Sequence, residues 1–184
     1  MTRIETIFTE TIAAHHATLQ RSVALIQQAA ELMRDALSKG GKILAFGNGG
    51  SAADSQHIAA ELVNRFSIER RAFAALALTT DTSVLTSIAN DSVYDRVFAR
   101  QIEALGRPGD VALGISTSGR SRSVIAAFEQ ARAQKLTTIA LLGNDRSAVD
   151  SLADICVVVP VSSVARVQEV HRTILHVWCE LIEA

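Results

Sequence analysis

Two short apolar runs of this chain each end in a turn rich in glycine and serine that opens a helical pattern. The first run, Lys42 to Phe46, leads into Gly47-Asn48-Gly49-Gly50-Ser51, and Ala52 to Phe66 follows with apolar residues near helical spacing. Glycine lets the backbone of such a turn approach a ligand closely, and the free N–H groups of the next helix attract an anion. The order therefore predicts a strand, an anion site and a helix, although a plain corner with Ser51 as the helix N-cap has the same pattern.

The second turn favours the anion site over the plain corner. Val111 to Ile115 is another run typical of a buried strand, and the segment Ser116 to Ser121 separates it from a helical pattern over 123–134. Both turns would face the carboxyl-end crevice of one sheet, where open α/β sheets bind their ligands. Hydroxyl and backbone N–H groups could hold a phosphate there without a lysine. The candidate hydroxyl groups are those of Ser51, Ser116, Thr117, Ser118 and Ser121.

Strand-like and helix-like segments alternate along the chain, which predicts a five-stranded parallel sheet covered by helices on both faces. Beyond the two runs above, strands are expected over 72–78, 137–142 and 155–159. Further helices are expected after the cap residues Thr79-Thr80-Asp81, over 94–105 and over 164–182.

A helical extension precedes this α/β pattern. Residues 4–38 carry apolar side chains at helical intervals without glycine or proline, which predicts one long helix or two joined ones. Such an apolar stripe needs a surface to cover, either its own sheet or, at least as readily, helices of other subunits. We therefore interpret the chain as one domain, with residues 1–39 as an N-terminal helical oligomerisation segment and residues 40–184 as the α/β core.

Length and charge exclude several functional classes. The 184 residues are enough for one domain, and a formal net charge of −1 with dispersed charges gives no nucleic-acid-binding patch. No stretch reaches the roughly 18 uninterrupted apolar residues of a membrane span, and the first residues are unlike a secretion signal. Cys156 and Cys179 lie in apolar runs, which favours packing over a disulfide. We expect a cytoplasmic protein without nucleic-acid or membrane partners.

Two helical patterns carry polar side chains suited to acid–base chemistry. His57 and Glu61 are four residues apart and share one face of the helix after the first turn. Gln168 and His176 can share a broad face of the apolar terminal helix, being separated by about 80° around it. An imidazole and a carboxylate beside a phosphate ester could act as general acid and base. With one more oxygen donor, they could instead hold a divalent metal such as zinc, or they could simply be exposed.

In their order along the chain, these residues resemble the sugar-isomerase (SIS) domain superfamily and, within it, the bacterial phosphoheptose isomerases. The resemblance covers nearly the whole chain, and it is carried by the two turns, Gln56-His57 with Glu61, Thr79-Thr80-Asp81, Ala89-Asn90-Asp91, and Arg166 to His171 with His176. It implies a flavodoxin-like sheet and an enzyme that converts sedoheptulose 7-phosphate to glycero-manno-heptose 7-phosphate through an enediol, for lipopolysaccharide heptose. It also implies a homotetramer with its active sites between subunits and the N-terminal helices in its core.

The resemblance also implies roles for individual residues. Glu61 matches the base that moves a proton between C1 and C2, and His176 matches its acid partner. Zinc, one ion per active site, is the implied cofactor, with ligands at His57, Glu61, Gln168 and His176, and no nucleotide cofactor is expected. The positions that match the family's contacts to phosphate and sugar are Asn48, Gly49, Gly50, Ser51, Glu61, Arg65, Asn90, Asp91, Ser116, Thr117, Ser118, Ser121 and Gln168.

The chain departs from the family's pattern in three places. Ala165 stands where some members have an aspartate, Arg120 replaces a usual asparagine and adds a cation near the expected phosphate, and residues 144–147 lack a common diglycine. The same fold also serves a non-enzymatic tetramer that binds the bacterial replication initiator and lacks the catalytic pair. The presence of both Glu61 and His176 favours the enzyme over that alternative.

Overall fold

The computed structural model describes residues 2–144, 148–149 and 151–184 of the chain. Within these residues the strands are β1 (Ile43–Gly47), β2 (Ala75–Ala77), β3 (Val111–Ser116), β4 (Thr137–Leu142) and β5 (Ile155–Val158). They form one parallel sheet in the order β2-β1-β3-β4-β5. Because the winding reverses between β1 and β3, the carboxyl ends of these two strands flank the switch point at which such sheets bind ligands.

Helices cover both faces of the sheet, as the alternating pattern predicts. They are α1 (Arg3–Ser38), α2 (Gly50–Val63), α3 (Thr82–Asp91), α4 (Ala99–Leu105), α5 (Arg122–Ala133) and α6 (Val164–Glu183). Side chains alternate between the faces of a strand, so Ile43 and Ala45 of β1 pack with α1, α2 and α6, whereas Leu44 and Phe46 pack with α4 and α5. The predicted fold class is therefore confirmed.

The N-terminal extension is one continuous helix rather than two. Thr2 and Glu5 cap its start reciprocally, since each side chain accepts a hydrogen bond from the other residue's backbone N–H. Its carboxyl-terminal half is buried against the sheet layer and α6, where Trp178 Nε1 donates to the Ile26 carbonyl at 3.0 Å. Its amino-terminal half instead exposes a row of large apolar side chains. No helix in the described part of the chain is long and apolar enough to cross a membrane.

Two predicted segments differ in the structure. The strand expected over 72–78 pairs only over Ala75–Ala77, and Leu76 is 41% exposed, because β2 is an edge strand that pairs with β1 alone. The single helix expected over 94–105 is divided into a 3₁₀ turn, Tyr94–Arg96, and α4. Between them Val97 and Phe98 are buried in the apolar layer under α5 and keep helical backbone angles, while the hydrogen bonds of Arg96 and Val97 are of the 3₁₀ type.

Candidate active site

The two turns rich in glycine and serine lie side by side, because they follow β1 and β3, which are neighbours in the sheet. Asn48 joins them: its Nδ2 donates to Ser121 Oγ at 2.8 Å and to Ser123 Oγ at 3.0 Å. Its Oδ1 accepts a hydrogen bond from the hydroxyl of Tyr94 at 2.8 Å. The predicted binding residues Asn48 and Ser121 are thus held in one network at the switch point.

The first turn presents backbone rather than a capping side chain to the crevice. Gly49, at φ +57° and ψ −121°, is the N-cap of α2, and no described side chain caps the helix there. The interpretation of Ser51 as N-cap is wrong, because Ser51 is the second helical residue and is buried. The N–H groups of Ser51, Ala52 and Ala53 already donate to the carbonyls of Asn48 and Gly49. The anion site at this helix start therefore rests on the N–H of Gly50, next to a Gly49 conformation that favours glycine.

The second turn presents hydroxyl groups. Ser116 is buried, and its Oγ accepts a hydrogen bond from the N–H of Gly119 at 3.1 Å, where Gly119 has φ +65°. Ser118 is exposed, and its Oγ accepts from the N–H of Arg120 at 3.2 Å. Thr117 is half-buried between them. Because a hydroxyl that accepts a hydrogen bond keeps its own proton, these side chains can still donate to a phosphate oxygen.

About two helical turns further along α2, two imidazoles and a carboxylate converge. His57 Nε2 lies 2.8 Å from His176 Nε2 and 3.6 Å from Glu61 Oε1. The ring of Phe66 packs against that of His176, with 5.3 Å between centroids. The structure therefore brings the predicted acid–base residues of α2 and α6 together within a single chain.

The electrostatic surroundings favour the neutral form of His57. Burial lowers the pKa of His57, and the positive charge of Arg172 lowers it further, against the opposing charge of Glu61. A neutral imidazole has one nitrogen free to accept a proton or to bind a metal.

Gln168 reaches the first turn from α6. A Cβ added at Gly50 would collide with the side-chain amide of Gln168, so glycine at this position lets the amide close on the turn. His176 lies two turns further along the same helix, beside His57. The prediction that Gln168 and His176 share a face of the terminal helix therefore agrees with the structure.

The set His57, Glu61, Gln168 and His176 fits zinc in its chemistry, since imidazole nitrogen and carboxylate oxygen are common zinc ligands. In the described part of the chain no three His, Cys, Asp or Glu side chains are arranged so that they could hold a metal ion. The two imidazole nitrogens instead face each other directly. Zinc as a cofactor stays a prediction.

Three predicted binding residues make their described contacts elsewhere. Arg65 is exposed, and its Nε lies 3.7 Å from Glu69 Oε2. Asn90 and Asp91, both exposed at the end of α3, bond to each other through Asn90 Nδ2 and Asp91 Oδ1 at 2.8 Å. Their roles in substrate binding stay predictions.

Of the three departures from the family's pattern, Arg120 and Ala165 are exposed, whereas residues 145–147 lie outside the described residues.

Sequence reasoning missed several neighbours of the site. Asp54 accepts from Arg172, and Ser123 and Tyr94 hold Asn48. His171 is fully buried beside them, and burial lowers its pKa to about 4. Neither ring nitrogen of His171 has a hydrogen bond of normal geometry among the described residues, although the Leu142 carbonyl lies near enough to favour a ring N–H. Only the four-residue spacing of Arg172 from Gln168 and His176 could have signalled any of these contacts.

Comparison with known proteins first shows which domain family the chain resembles. Residues 8–143 match the sequence model of the SIS domain family. Phosphoheptose isomerase GmhA from Neisseria gonorrhoeae is 45% identical with a TM-score of 0.93, and the match covers 98% of this chain and 97% of that one. A phosphoheptose isomerase from Francisella tularensis is 36% identical with a TM-score of 0.95, covering 99% and 98%.

A curated relative agrees with the solved structures. The phosphoheptose isomerase of a Roseiflexus species is 52% identical over 166 residues, which is 90% of this chain and 84% of that protein. The chain therefore belongs to the phosphoheptose isomerase family of SIS-domain proteins. The predicted family and the predicted enzyme class, an isomerase, are confirmed, and none of these relatives supports the alternative of a replication-initiator-binding protein.

Proposed function

We propose that the protein is an aldose–ketose isomerase that converts D-sedoheptulose 7-phosphate to D-glycero-D-manno-heptose 7-phosphate, for lipopolysaccharide heptose biosynthesis. The observation that carries this proposal is the convergence of Glu61, His57 and His176 about two helical turns from the two glycine- and serine-rich turns. The names of the relatives and their identity over nearly the whole chain support the choice of substrate.

The two turns bind the phosphate end of the sugar. The N–H group of Gly50 at the start of α2 and the hydroxyl groups of Thr117, Ser118 and Ser121 supply the donors at the crevice between β1 and β3. Asn48 holds the turns together, so the donors are in place before the substrate arrives. Fixing the phosphate in this way positions the opposite end of the sugar for proton transfer.

Glu61 performs the proton transfer between carbon atoms. Its carboxylate removes a proton from C1 of the ketose, and the resulting enediol accepts that proton at C2. His176 donates a proton to the carbonyl oxygen at C2 and recovers one from the hydroxyl at C1, so that the aldose forms without any redox cofactor. The Nε2 atoms of His57 and His176 share one hydrogen bond. Because His57 is neutral, its own tautomer decides whether Nε2 of His176 carries a proton.

Zinc is proposed as the cofactor of this site. His57, Glu61, Gln168 and His176 would hold it, and the bound ion would polarise the oxygens of the sugar. Purified protein, first treated with a chelator and then titrated with zinc in a calorimeter, is expected to bind one ion per chain. A His57→Ala variant should lose this binding, and unchanged binding by that variant would place the metal elsewhere.

We infer that the protein works as a homotetramer with its active sites between subunits. The inference is supported by the amino-terminal half of α1, where Ile4, Phe8, Ile12 and Leu19 are 68%, 66%, 68% and 64% exposed in the single chain. Large exposed apolar patches mark interaction surfaces. Light scattering on the wild type and on Phe8→Glu with Ile12→Glu tests it: the wild type should have the mass of four chains and the variant a smaller mass. The cytoplasmic location stays a prediction.

The first test of the activity is conversion of sedoheptulose 7-phosphate by the purified protein, followed by NMR with zinc, without zinc and after chelation. We expect the signals of the ketose to be replaced by those of the heptose aldose. Absence of product under all three conditions, from protein shown to be folded, would contradict the proposed reaction. A zinc response would separate metal-assisted chemistry from acid–base chemistry alone.

A further inference from the structure

Three cross-helix contacts follow one another along the interface between α2 and α6. At one end, Gln168 lies against Gly50, and at the other His176 contacts His57. Between them is an ion pair that the proposed mechanism does not use, formed by Asp54 of α2 and Arg172 of α6. On α6 the three contacts are spaced four residues apart, which keeps them on one face of the helix.

The ion pair is built firmly into the interface. Arg172 donates to a single carboxylate oxygen, Asp54 Oδ1, from Nε at 2.9 Å and from Nη2 at 2.5 Å. The side chain of Asp54 is only 5% exposed, whereas that of Arg172 is 41% exposed. A buried carboxylate is costly without a partner, so Asp54 holds the guanidinium of Arg172 in one place.

The interface between α2 and α6 borders open solvent at this level. An open cavity of about 610 Å³ lies beside the ion pair, and it is lined in part by His15, Ala53, Gln168 and Thr173. Side chains beside such a cavity lack the close packing that holds a core residue in one position. The contact between Asp54 and Arg172 is therefore a polar connection between α2 and α6, set between the two proposed functional contacts and next to the apolar packing of Ile58 and Leu62 with α6.

We propose that Arg172, held by Asp54, is a positioning residue that fixes the register of α6 against α2, keeping Gln168 on the first turn and His176 against His57. This proposal rests on the proposed function, because the contacts it positions are those assigned to substrate, metal and proton transfer. The described hydrogen bonds of Arg172 go to Asp54, and none reaches His57, Glu61 or His176. Arg172 acts through the helix that carries both neighbours.

The test compares the kinetics of three variants of the full-length protein. Arg172→Leu is expected to lower kcat on the order of 100-fold, because small displacements of catalytic groups have effects of that size. KM should change by a smaller factor than kcat, because the hydroxyl groups of the second turn follow β3 and only the contact of Gln168 with the first turn depends on α6. Arg172→Lys, which can still pair with Asp54, should recover most of kcat. Asp54→Asn should lower kcat as Arg172→Leu does, and the double variant should be no worse than either, because both changes remove one contact.

A matched control removes another ion pair of the same helix. Arg166 donates to Glu169 on α6 at 2.7 Å and 2.6 Å, and the pair makes its further described contacts with Glu10 and Thr11 of α1. Arg166→Leu should leave kcat within about twofold of the wild type. An equal loss of kcat in this control, or an unchanged kcat in folded Arg172→Leu, would overturn the proposal. A merely structural role would lower the unfolding midpoint without separating kcat from KM.

A second measurement does not depend on activity. The imidazole nitrogens of His57 and His176 can be observed by NMR in protein labelled with ¹⁵N-histidine, after assignment by substitution. The spectra are recorded at about pH 9, where both imidazoles are neutral and the charge of Arg172 no longer changes their protonation. There Arg172→Leu is expected to shift both sets of signals, and Arg166→Leu is expected to leave them in place. If the wild type converts no sugar phosphate, the proposed function fails while these spectra still test the register. Unshifted signals in Arg172→Leu would overturn the positioning role by themselves.

Discussion

Two polar clusters stand on α6, and they differ in how completely their hydrogen bonds are satisfied. Near the middle of the helix, His176 meets His57 and Glu61, whose side chains are 27% and 25% exposed. At its carboxyl end, Glu183 is 3% exposed and accepts hydrogen bonds from the N–H groups of Phe66, Ser67 and Ile68, from the Ser67 hydroxyl and from Arg70. The first cluster keeps accessible groups that can exchange protons. In the second, both carboxylate oxygens of Glu183 accept hydrogen bonds that hold the loop after α2 and Arg70 against α6.

The saturated cluster supports the reactive one. Arg70, fixed by Glu183, also donates to the carbonyls of Glu61 at 2.8 Å and Leu62 at 2.9 Å, at the end of α2. These carbonyls have no partner within a helix, so the guanidinium supplies one. The backbone that carries Glu61 is thus anchored to α6 at a point remote from its carboxylate. Substitutions in the two clusters should therefore affect different quantities.

The largest expected effect is a loss of turnover in the reactive cluster. Glu61→Gln keeps the shape of the side chain but cannot accept a proton from C1, so kcat should fall at least on the order of 1,000-fold while the unfolding midpoint stays nearly constant. NMR conversion assays and thermal melts measure both quantities. Glu129→Gln makes the same chemical change at an exposed position of α5 and should retain full activity. Retained turnover in Glu61→Gln would remove Glu61 from the role of base.

The next largest effect is on stability, and it comes from His171, which belongs to neither cluster. Burial lowers the pKa of His171 to about 4, against the opposing effects of the Leu142 carbonyl and Asp54. His171 takes up a proton more readily in the unfolded chain than in the folded one. The contribution of the neutral imidazole to the free energy of unfolding is therefore fully present above pH 6.5 and is lost as the pH drops from 6.5 toward 4. A shift of this size corresponds to about 3 kcal/mol.

Urea unfolding at a series of pH values measures this dependence. His171→Leu replaces the imidazole with an apolar side chain of similar size and cannot take up a proton. The variant should therefore lose less stability than the wild type between pH 6.5 and 4. Parallel curves for the two proteins would show that the pKa of His171 is the same in the folded and unfolded protein, which would contradict the lowered value.

A smaller loss of stability is expected from the saturated cluster. Burial alone would raise the pKa of Glu183, but the N–H groups of Phe66, Ser67 and Ile68 outweigh it and lower the pKa to about 2. Its contribution is present above pH 4.5 and is lost as the pH falls from 4.5 toward 2, a window below that of His171. Glu183→Gln should cost about 2 kcal/mol at neutral pH, since it weakens hydrogen bonds to a buried charge. Chemical unfolding measures this cost, and kcat should change far less than in Glu61→Gln.

The contrast between the clusters also explains what could be predicted from sequence. The strands β1, β3, β4 and β5 and both turns are marked locally, by apolar runs that end at glycine, proline or serine. His57 and Glu61 were found because four residues along a helix define a face. The ion pair of Asp54 with Arg172 and the cluster around Glu183 join residues more than 100 positions apart. Their pairing depends on the register of α2 against α6, which no local pattern encodes.

The smallest expected effects separate two serines of one turn. Ser118 is exposed and proposed to bind phosphate, so Ser118→Ala should raise KM about fivefold, the equivalent of one hydrogen bond of about 1 kcal/mol. Its unfolding midpoint should not move, because solvent can replace the bond to the N–H of Arg120. Ser116 is buried and satisfies the N–H of Gly119, so Ser116→Ala should also lower stability, by about 1 kcal/mol or more. Kinetics and melts of the two variants, run side by side, measure the difference. If Ser118→Ala left KM unchanged, the phosphate would bind away from this turn, and the turn would belong with the Glu183 cluster as a purely structural feature.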